Sequence, residues 1–387
     1  MRINLFKVLE IELALVALAL LATFGFLATT PTALAQIVEL ARGVVGPEPI
    51  AFAENAFYGI QDAYQRWTFQ GRTTPGYWTP ATAPSTALAA PLDGTARPRP
   101  PASGFAFQPR DVTPPYPALA APGEGVWTPM ANAFARAAPP LMYKTFLHSD
   151  PQRPYARVAI VAMDATRLRL HAVAGTNEPA SSANAPRSGL IAAADLASLV
   201  AAFNGGFRAI HGHYGMMVDG QTILPPQPSA DTIAIYRDGR VRIAPWSAIA
   251  NTLPQMQSFR QTPAFLAYQG QVNSALAHEE LFFWGKSVSG KTVIWRSALG
   301  VSADGRTLFY AAGESLTAQR LAEALVAAGA SDVAELDVNL SYQRFLTYAP
   351  ARSGFAEHVL LDTMVYQPGM YVSRPAARDF FYLTLVK

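Results

Sequence analysis

Three of the four Asp-Gly dipeptides constrain the fold of this chain more than any other feature of its sequence. They occur at Asp219, Asp238 and Asp304, each between two runs rich in β-branched and aromatic residues. Asp-Gly readily adopts the positive φ angles of tight turns, so each pair predicts two antiparallel strands joined by a short loop. Strand-like runs at 155–164 and 167–175 extend the pattern. The chain should therefore contain largely antiparallel sheets.

Two segments with helical spacing of apolar residues interrupt these strands. One lies at about 188–199, and the other ends at Ala328. Ser315 or Thr317 is suited to cap the start of the second helix, and Gly329 is suited to end it. We therefore predict an α+β fold in which a few helices pack on antiparallel sheets.

The N-terminal segment predicts export. Two basic residues precede an apolar run at 13–28, and small residues up to Ala35 follow it in the pattern that a signal peptidase recognises. With its neighbours the run reaches about 18 residues, close to the length that spans a bilayer. We expect residues 1–36 to be a membrane anchor, or a signal peptide cleaved after Ala35. Either outcome places the protein on the extracytoplasmic side of the cell membrane.

Composition divides the remainder of the chain into three parts. Residues 37–70 show a mixed helical pattern and predict a juxtamembrane helical segment. Residues 71–140 are rich in proline and alanine and hold about half of the 31 prolines. Proline lacks the N–H that helices and sheets need, so this part predicts a semi-extended linker. The folded domain is expected at 141–387.

The composition also excludes several classes of function. The chain has no cysteine, which rules out thiol nucleophiles, disulfides and thiolate metal sites. Its formal net charge is +3, but no basic block interleaves with aromatic residues, so nucleic-acid binding is not expected. Residues 285–292, GKSVSGKT, match the P-loop pattern, yet a β-branched run follows where a phosphate-binding helix should begin. We therefore expect no nucleotide partner.

A polar stripe marks the segment ELDVN. Glu335, Asp337 and Asn339 alternate with Leu336 and Val338, so in a strand the three polar residues share one face. A buried unpaired charge is expensive. These carboxylates therefore either have partners or take part in chemistry.

Three upstream features are further candidates. Asn204-Gly205-Gly206 follows a strand-like run, where glycines either form a plain turn or let the backbone approach a ligand closely. Arg296 lies in an apolar strand-like run, where it either pairs with a carboxylate of the polar stripe or receives an anion. His213 lies near glycine in a loop and either is solvated or lines a pocket, because no third ligand completes a zinc site.

The order of these motifs resembles the phosphodiester glycosidase family. FNGGF is followed by WRSALGVSADGRTLFYAAG, by the helix SLTAQRLAEALVAAGA and by ELDVN. The resemblance covers about 155–387 and is closest to a bacterial, membrane-anchored branch with an ELDxN strand. It implies catalytic roles for Asn204, Arg296 and Asp337, with Gly205 and Gly206 beside the substrate. Better-characterised members read LDGGGS where this chain reads LDVNLS.

The resemblance implies an exported hydrolase of sugar-1-phosphodiesters or related envelope glycans. Arg296 would neutralise the phosphate, and Asp337 would act as nucleophile or base, or would bind a divalent cation such as calcium. Glu335, Asn339 and His213 would contact the substrate. No other cofactor is implied, and the identity of any metal stays open. The alternative is a non-catalytic glycan-binding or structural envelope protein with a diverged site.

Overall fold

The computed structural model describes residues 47–69, 76–78, 107–131, 140–277, 290–338, 340–351 and 354–386. The predicted export segment at 1–36 and the linker residues 79–106 lie outside these ranges. The chain divides into two compact units after Glu54, and every described strand belongs to the second unit. Among the described helices, none is both long and apolar enough to cross a membrane.

The described residues form three sheets and a few helices. The strands are β1 (Thr128–Pro129), β2 (Met142–His148), β3 (Arg157–Asp164), β4 (Leu168–Val173), β5 (Leu199–Asn204), β6 (Met216–Val218), β7 (Gln221–Leu224), β8 (Asp231–Tyr236), β9 (Val241–Pro245), β10 (Met256–Thr262), β11 (Ala267–Tyr268), β12 (Gln271–Val272), β13 (Ile294–Val301), β14 (Thr307–Leu316), β15 (Asp332–Glu335), β16 (Phe345–Pro350), β17 (Phe355–Val359) and β18 (Phe380–Leu385). The α-helices are α1 (Pro47–Phe69), α2 (Trp246–Ile249) and α3 (Ala318–Ala327). Short 3-10 helices occur at Pro117–Leu119, Ala193–Ser198, Ala209–His211, Ala250–Gln255 and Ser274–Ala277.

All strand pairings within the three sheets are antiparallel, which confirms the main prediction of the fold. Sheet 1 has the order β1-β2-β3-β14-β13-β15-β11-β12. Sheet 2 has the order β7-β6-β10-β8-β9, and sheet 3 has the order β17-β16-β5-β18-β4. Strands that are distant in sequence therefore become neighbours, such as β5 beside β16 and β18.

Each of the three Asp-Gly pairs at Asp219, Asp238 and Asp304 forms the hairpin that it predicts. Asp219 and Gly220 have φ angles of 48° and 80° and join β6 to β7 through a two-residue turn. Asp238 lies between β8 and β9, and Asp304 lies between β13 and β14. Because β13 starts at Ile294, a strand follows the P-loop-like segment, as predicted.

One of the two predicted helices is confirmed and the other is wrong. Thr317 caps α3, and its side chain accepts a hydrogen bond from the Arg320 amide at 3.2 Å. The segment at 188–199 forms only the 3-10 helix noted above and then enters β5. Tertiary hydrogen bonds to 371–376 hold this backbone out of a helix, because Ile191 donates to the Tyr371 carbonyl at 2.8 Å.

Sheet 1 is buried on both faces, which explains the continuous apolar runs of its central strands. One face packs against sheets 2 and 3 through a core that includes Tyr310, Phe203 and Phe381. The other face is covered by α3, with Leu321 and Leu325 in its core. Sheet 1 is therefore the central layer on which the rest of the unit is assembled.

The part of the predicted linker at 107–131 packs against sheet 1 and so differs from an extended spacer. Its β1 pairs with β2, and Trp127 is buried. The carboxylate of Glu124 accepts a hydrogen bond from the His148 amide at 2.8 Å and contacts the His148 ring at 2.6 Å. The part of α1 after Glu54 belongs to the same unit, and its Asp62 forms two hydrogen bonds of 2.7 Å with Arg153.

Asp231 is a buried acid that makes the fold sensitive to pH. It is 1% exposed in β8, and neither carboxylate oxygen has a hydrogen-bond partner of acceptable geometry among the described residues. Burial raises the pKa of Asp231 well above its usual value, and the nearby Thr232 amide opposes the shift only in part. The folded protein therefore keeps a proton that the unfolded chain loses near pH 4.

Asp231→Asn should remove this pH dependence. Because the folded state binds the extra proton, the contribution of Asp231 to the free energy of unfolding falls as pH rises above about 4, by up to about 1.4 kcal/mol per pH unit. The variant should become progressively more stable than the wild type between pH 4 and 7 in urea unfolding. Asp362→Asn, at an exposed position, is the control, and parallel pH profiles for wild type and Asp231→Asn would contradict the prediction.

Candidate functional site

Several of the predicted site residues meet where the ends of strands from the three sheets approach one another. Asn204 ends β5 of sheet 3, and Asp337 follows β15 of sheet 1. Arg260 comes from β10 of sheet 2, and Asp379 immediately precedes β18. We call this cluster, together with Ser297 of β13, the junction.

Asn204 holds sheets 1 and 3 together at the junction. Its amide nitrogen donates to Ser297 Oγ at 3.0 Å, and that hydroxyl donates to the Asp337 carbonyl at 2.8 Å. Its amide oxygen accepts from the Tyr310 hydroxyl at 2.9 Å and from the Arg344 backbone at 3.2 Å. The Asn204 side chain is therefore buried with both of its polar ends occupied.

The two glycines approach protein atoms rather than an open cleft. Gly205 donates its N–H to the Asp379 carbonyl at 3.0 Å, and Gly206 donates to Asp379 Oδ2 at 2.9 Å. A Cβ on Gly205 would collide with the Asp379 carboxylate. The close backbone approach suggested by the sequence is therefore real, and its partner in this structure is Asp379.

Asp379 forms a buried ion pair with Arg260. Arg260 Nε lies 2.9 Å from Oδ2, and Nη2 lies 3.3 Å from Oδ1. The remaining donors of the guanidinium reach the carbonyls of Tyr214 and Gln261, at 3.0 and 2.9 Å, and that of Phe207. Each nitrogen of the Arg260 guanidinium therefore has a hydrogen-bond acceptor, and the ion pair connects sheet 2 to sheet 3.

Asp337 forms an ion pair with Arg378, the residue next to Asp379. Asp337 is 4% exposed, and its Oδ2 contacts Nη2 of Arg378 closely. The guanidinium also stacks on the Tyr342 ring, with its carbon 4.2 Å from the ring centroid.

A calcium ion needs six to eight oxygen ligands. A carboxylate that already faces a guanidinium does not fit that donor set, so we derive no step through calcium.

Arg296 and Glu335 form a separate buried ion pair. Arg296 Nη1 lies 2.5 Å from Glu335 Oε1, and its other nitrogens donate to the carbonyls of Leu316 and Thr292 at 3.1 and 2.9 Å. Burial raises the pKa of Glu335, Arg296 opposes that shift, and the charge of Asp337 adds to it. Arg296 was expected either to pair with a carboxylate of the polar stripe or to receive an anion, and in the structure it pairs with Glu335.

The polar stripe is formed only in part, because the chain changes sheets within it. Strand β15 ends at Glu335. Leu336 still donates to the carbonyl of Ser297 in sheet 1 at 2.8 Å, whereas Asp337 donates to the carbonyl of Gly205 in sheet 3 at 3.0 Å. Asp337 therefore leaves the predicted strand and enters the junction.

The two remaining predicted residues are Asn339 and His213. Asn339 lies outside the described residues. His213 is exposed in a loop with φ of 51°, and its backbone is hydrogen-bonded to Ala209 and Gln227, so its substrate role stays a prediction. In the described part of the chain, no group of three or more His, Asp and Glu residues could hold a metal ion.

Sequence reasoning assigned no role to several residues of the site. An arginine inside the strand-like run FRQTPAFL, and an Arg-Asp pair just before the last strand, were signals of buried charge that could have been used. Gln343, which donates from Nε2 to the Asp337 carbonyl at 2.9 Å, carried no such signal. The residues found only in the structure are Arg260, Ser297, Gln343, Arg378 and Asp379.

Comparison with known proteins supports the family resemblance. Residues 197–338 match the model of the phosphodiester glycosidase family, which confirms the resemblance over that part of the chain. The membrane-anchored bacterial branch stays a prediction. No curated protein matches the chain.

Three solved structures are similar to the chain at low identity. The catalytic domain of zebrafish N-acetylglucosamine-1-phosphodiester alpha-N-acetylglucosaminidase, auto-inhibited by its pro-peptide, is 12% identical over 66% of this chain and 87% of that one, with a TM-score of 0.41. A hypothetical protein from Synechocystis is 12% identical over 60% and 59%, with a TM-score of 0.32. A protein from Burkholderia pseudomallei that is described as exported is 13% identical over 65% and 75%, with a TM-score of 0.29.

Gly205→Ala should destabilise the protein by about 1–3 kcal/mol, because the added methyl group must displace the buried Asp379 carboxylate. Chemical denaturation followed by circular dichroism measures the effect. Gly59→Ala in α1 is the control, since nothing lies within 4 Å of its added Cβ and alanine favours a helix. Equal stability of Gly205→Ala and wild type would contradict the close approach.

Proposed function

We propose that this protein is an exported glycosidase-type hydrolase that cleaves glycosyl phosphodiesters at the anomeric carbon, with Asp337 as its reacting carboxylate. The observation that carries the proposal is the position of Asp337 at the end of the family-matched segment 197–338, where Ser297 links its backbone to Asn204 and its amide donates to the Gly205 carbonyl. Export rests on the apolar run at 13–28. The sugar and the group beyond the phosphate are left open.

In the proposed reaction water adds to the anomeric carbon and the bond to the phosphate oxygen breaks. The phosphate monoester leaves with the bonding electrons, and one proton of the water is lost to solvent. Such a reaction passes through an oxocarbenium-like transition state, which a nearby carboxylate stabilises or traps. Asp337 supplies that charge. A phosphate leaving group is already anionic, so it needs less help from a general acid than an alcohol does.

The neighbouring residues act mainly by positioning. Asn204 fixes Ser297, and Ser297 holds the backbone of Asp337. Gly205 accepts a hydrogen bond from the Asp337 amide at 3.0 Å. Arg296 is engaged by Glu335 and by backbone carbonyls, so we assign it to holding β13 against β15 rather than to binding phosphate. Such a rigid support keeps a catalytic carboxylate within the narrow range of productive geometry.

A second candidate function is non-catalytic glycan binding. The buried ion pair between Asp337 and Arg378 favours it, because the carboxylate is occupied by an internal cation. Binding of a sugar phosphodiester without turnover would support this alternative.

Asp337→Asn should lower kcat/KM for a sugar-1-phosphate aryl diester by at least about a hundredfold, the loss expected when a reacting side chain is removed. The measurement is the release of free sugar from this substrate by the purified full-length protein. Asp362→Asn, which also replaces an exposed acid by its amide, should keep wild-type turnover. Thermal unfolding tests whether Asp337→Asn stays folded, and wild-type turnover in the folded variant would overturn the assignment of Asp337.

A further inference from the structure

Arg378 lies outside the family-matched segment 197–338, yet it is the cation nearest to the proposed reacting group. The residue is 8% exposed. Its guanidinium lies between the Asp337 carboxylate and the face of the Tyr342 ring. Stacking of this kind fixes the plane of an arginine and leaves its edge available for hydrogen bonds.

The other buried arginines around Asp337 have their donors engaged by the protein. Arg260 binds Asp379 and three carbonyls. Arg296 binds Glu335 and backbone carbonyls. Arg344 donates to the carbonyls of Ser341 and Tyr342 and contacts a methionine sulfur. These three guanidinium groups are therefore structural.

Arg378 differs because two of its buried nitrogens lack hydrogen bonds. Nε and Nη2 make none within the described part of the chain. Nη2 is close to Asp337 Oδ2, but the direction of this contact is wrong for a hydrogen bond, so the pair is held by charge alone. A buried donor left in this state costs free energy that a better-directed acceptor would recover. An anion with several oxygens is such an acceptor.

A second incomplete group lies on Gln343, which is hydrogen-bonded to the backbone of Asp337. Gln343 donates from Nε2 to the Asp337 carbonyl at 2.9 Å, and its Oε1 is buried with no partner among the described residues. Around Asp337 there are thus unsatisfied donors on Arg378 and an unsatisfied acceptor on Gln343. A phosphorylated sugar carries both matching groups, since its phosphate accepts hydrogen bonds and its hydroxyls donate them.

We propose that Arg378 is the phosphate-binding residue of this site, and that a phosphate bound there takes the guanidinium from Asp337 and releases the carboxylate for reaction. The proposal rests on the proposed function for the role of Asp337, but the binding of phosphate does not depend on turnover. It makes Arg378 a specificity determinant. A neutral glycoside cannot compete for the guanidinium, so it leaves Asp337 paired and is a poor substrate.

Binding of inorganic phosphate to the full-length protein, measured by isothermal titration calorimetry, tests the inference. Arg378→Gln should weaken binding at least about tenfold, the loss expected for a hydrogen bond to a charged group. Asp337→Asn should strengthen it by about tenfold, because it removes the negative charge that competes with phosphate. Arg374→Gln, an exposed arginine of the same segment, should bind as the wild type does.

The two substitutions act in opposite directions, so loss of folding cannot imitate the full pattern. Wild-type affinity in Arg378→Gln, or unchanged or weaker binding in Asp337→Asn, would overturn the inference. Turnover of the aryl diester with an unaltered KM in Arg378→Gln would overturn it while leaving the proposed function standing. Arg378-dependent phosphate binding in a protein without turnover would support the inference and count against the proposed hydrolase.

Discussion

The geometry of the candidate site depends on the carboxylate of Asp379. It accepts two hydrogen bonds from Arg260 and one from the Gly206 amide, while the Asp379 carbonyl accepts the Gly205 amide. These bonds join β10 of sheet 2 to β5 and β18 of sheet 3. Removing one member of a buried ion pair typically costs about 3–5 kcal/mol, because the partner charge is left without compensation. The same carboxylate explains why residue 205 must lack a side chain.

The buried charges near the site fall into two groups. The pairs Arg260–Asp379 and Arg296–Glu335 have their donors directed at carboxylates and backbone carbonyls. The pair Arg378–Asp337 is close but poorly directed. A fully satisfied network stabilises one arrangement, whereas unsatisfied buried donors destabilise the protein. We attribute the unsatisfied donors of Arg378 to a ligand that binds them.

Local sequence signals predicted a large part of the fold. The turns at Asp219, Asp238 and Asp304 follow from the backbone preferences of Asp-Gly. The cap at Thr317 follows from a side chain that reaches its own helix. The helix expected at 188–199 did not form, because bonds to 371–376 outweigh its local spacing. Part of the predicted linker is likewise held by contacts with sheet 1, including the pairing of Glu124 with His148.

The sequence by itself determined where the chain turns and which conspicuous residues were candidates for the site. It placed Asn204, Gly205, Arg296 and Asp337 among the candidates because their types are conspicuous in apolar segments. Only the tertiary structure decided which charges form ion pairs: Arg296 pairs with Glu335, and Arg378 pairs with Asp337. A turn or a cap depends on a few adjacent dihedral angles. The partner of a buried charge depends on the order and register of strands: Arg260 of β10 binds Asp379, which precedes β18 and is 119 positions away in the sequence.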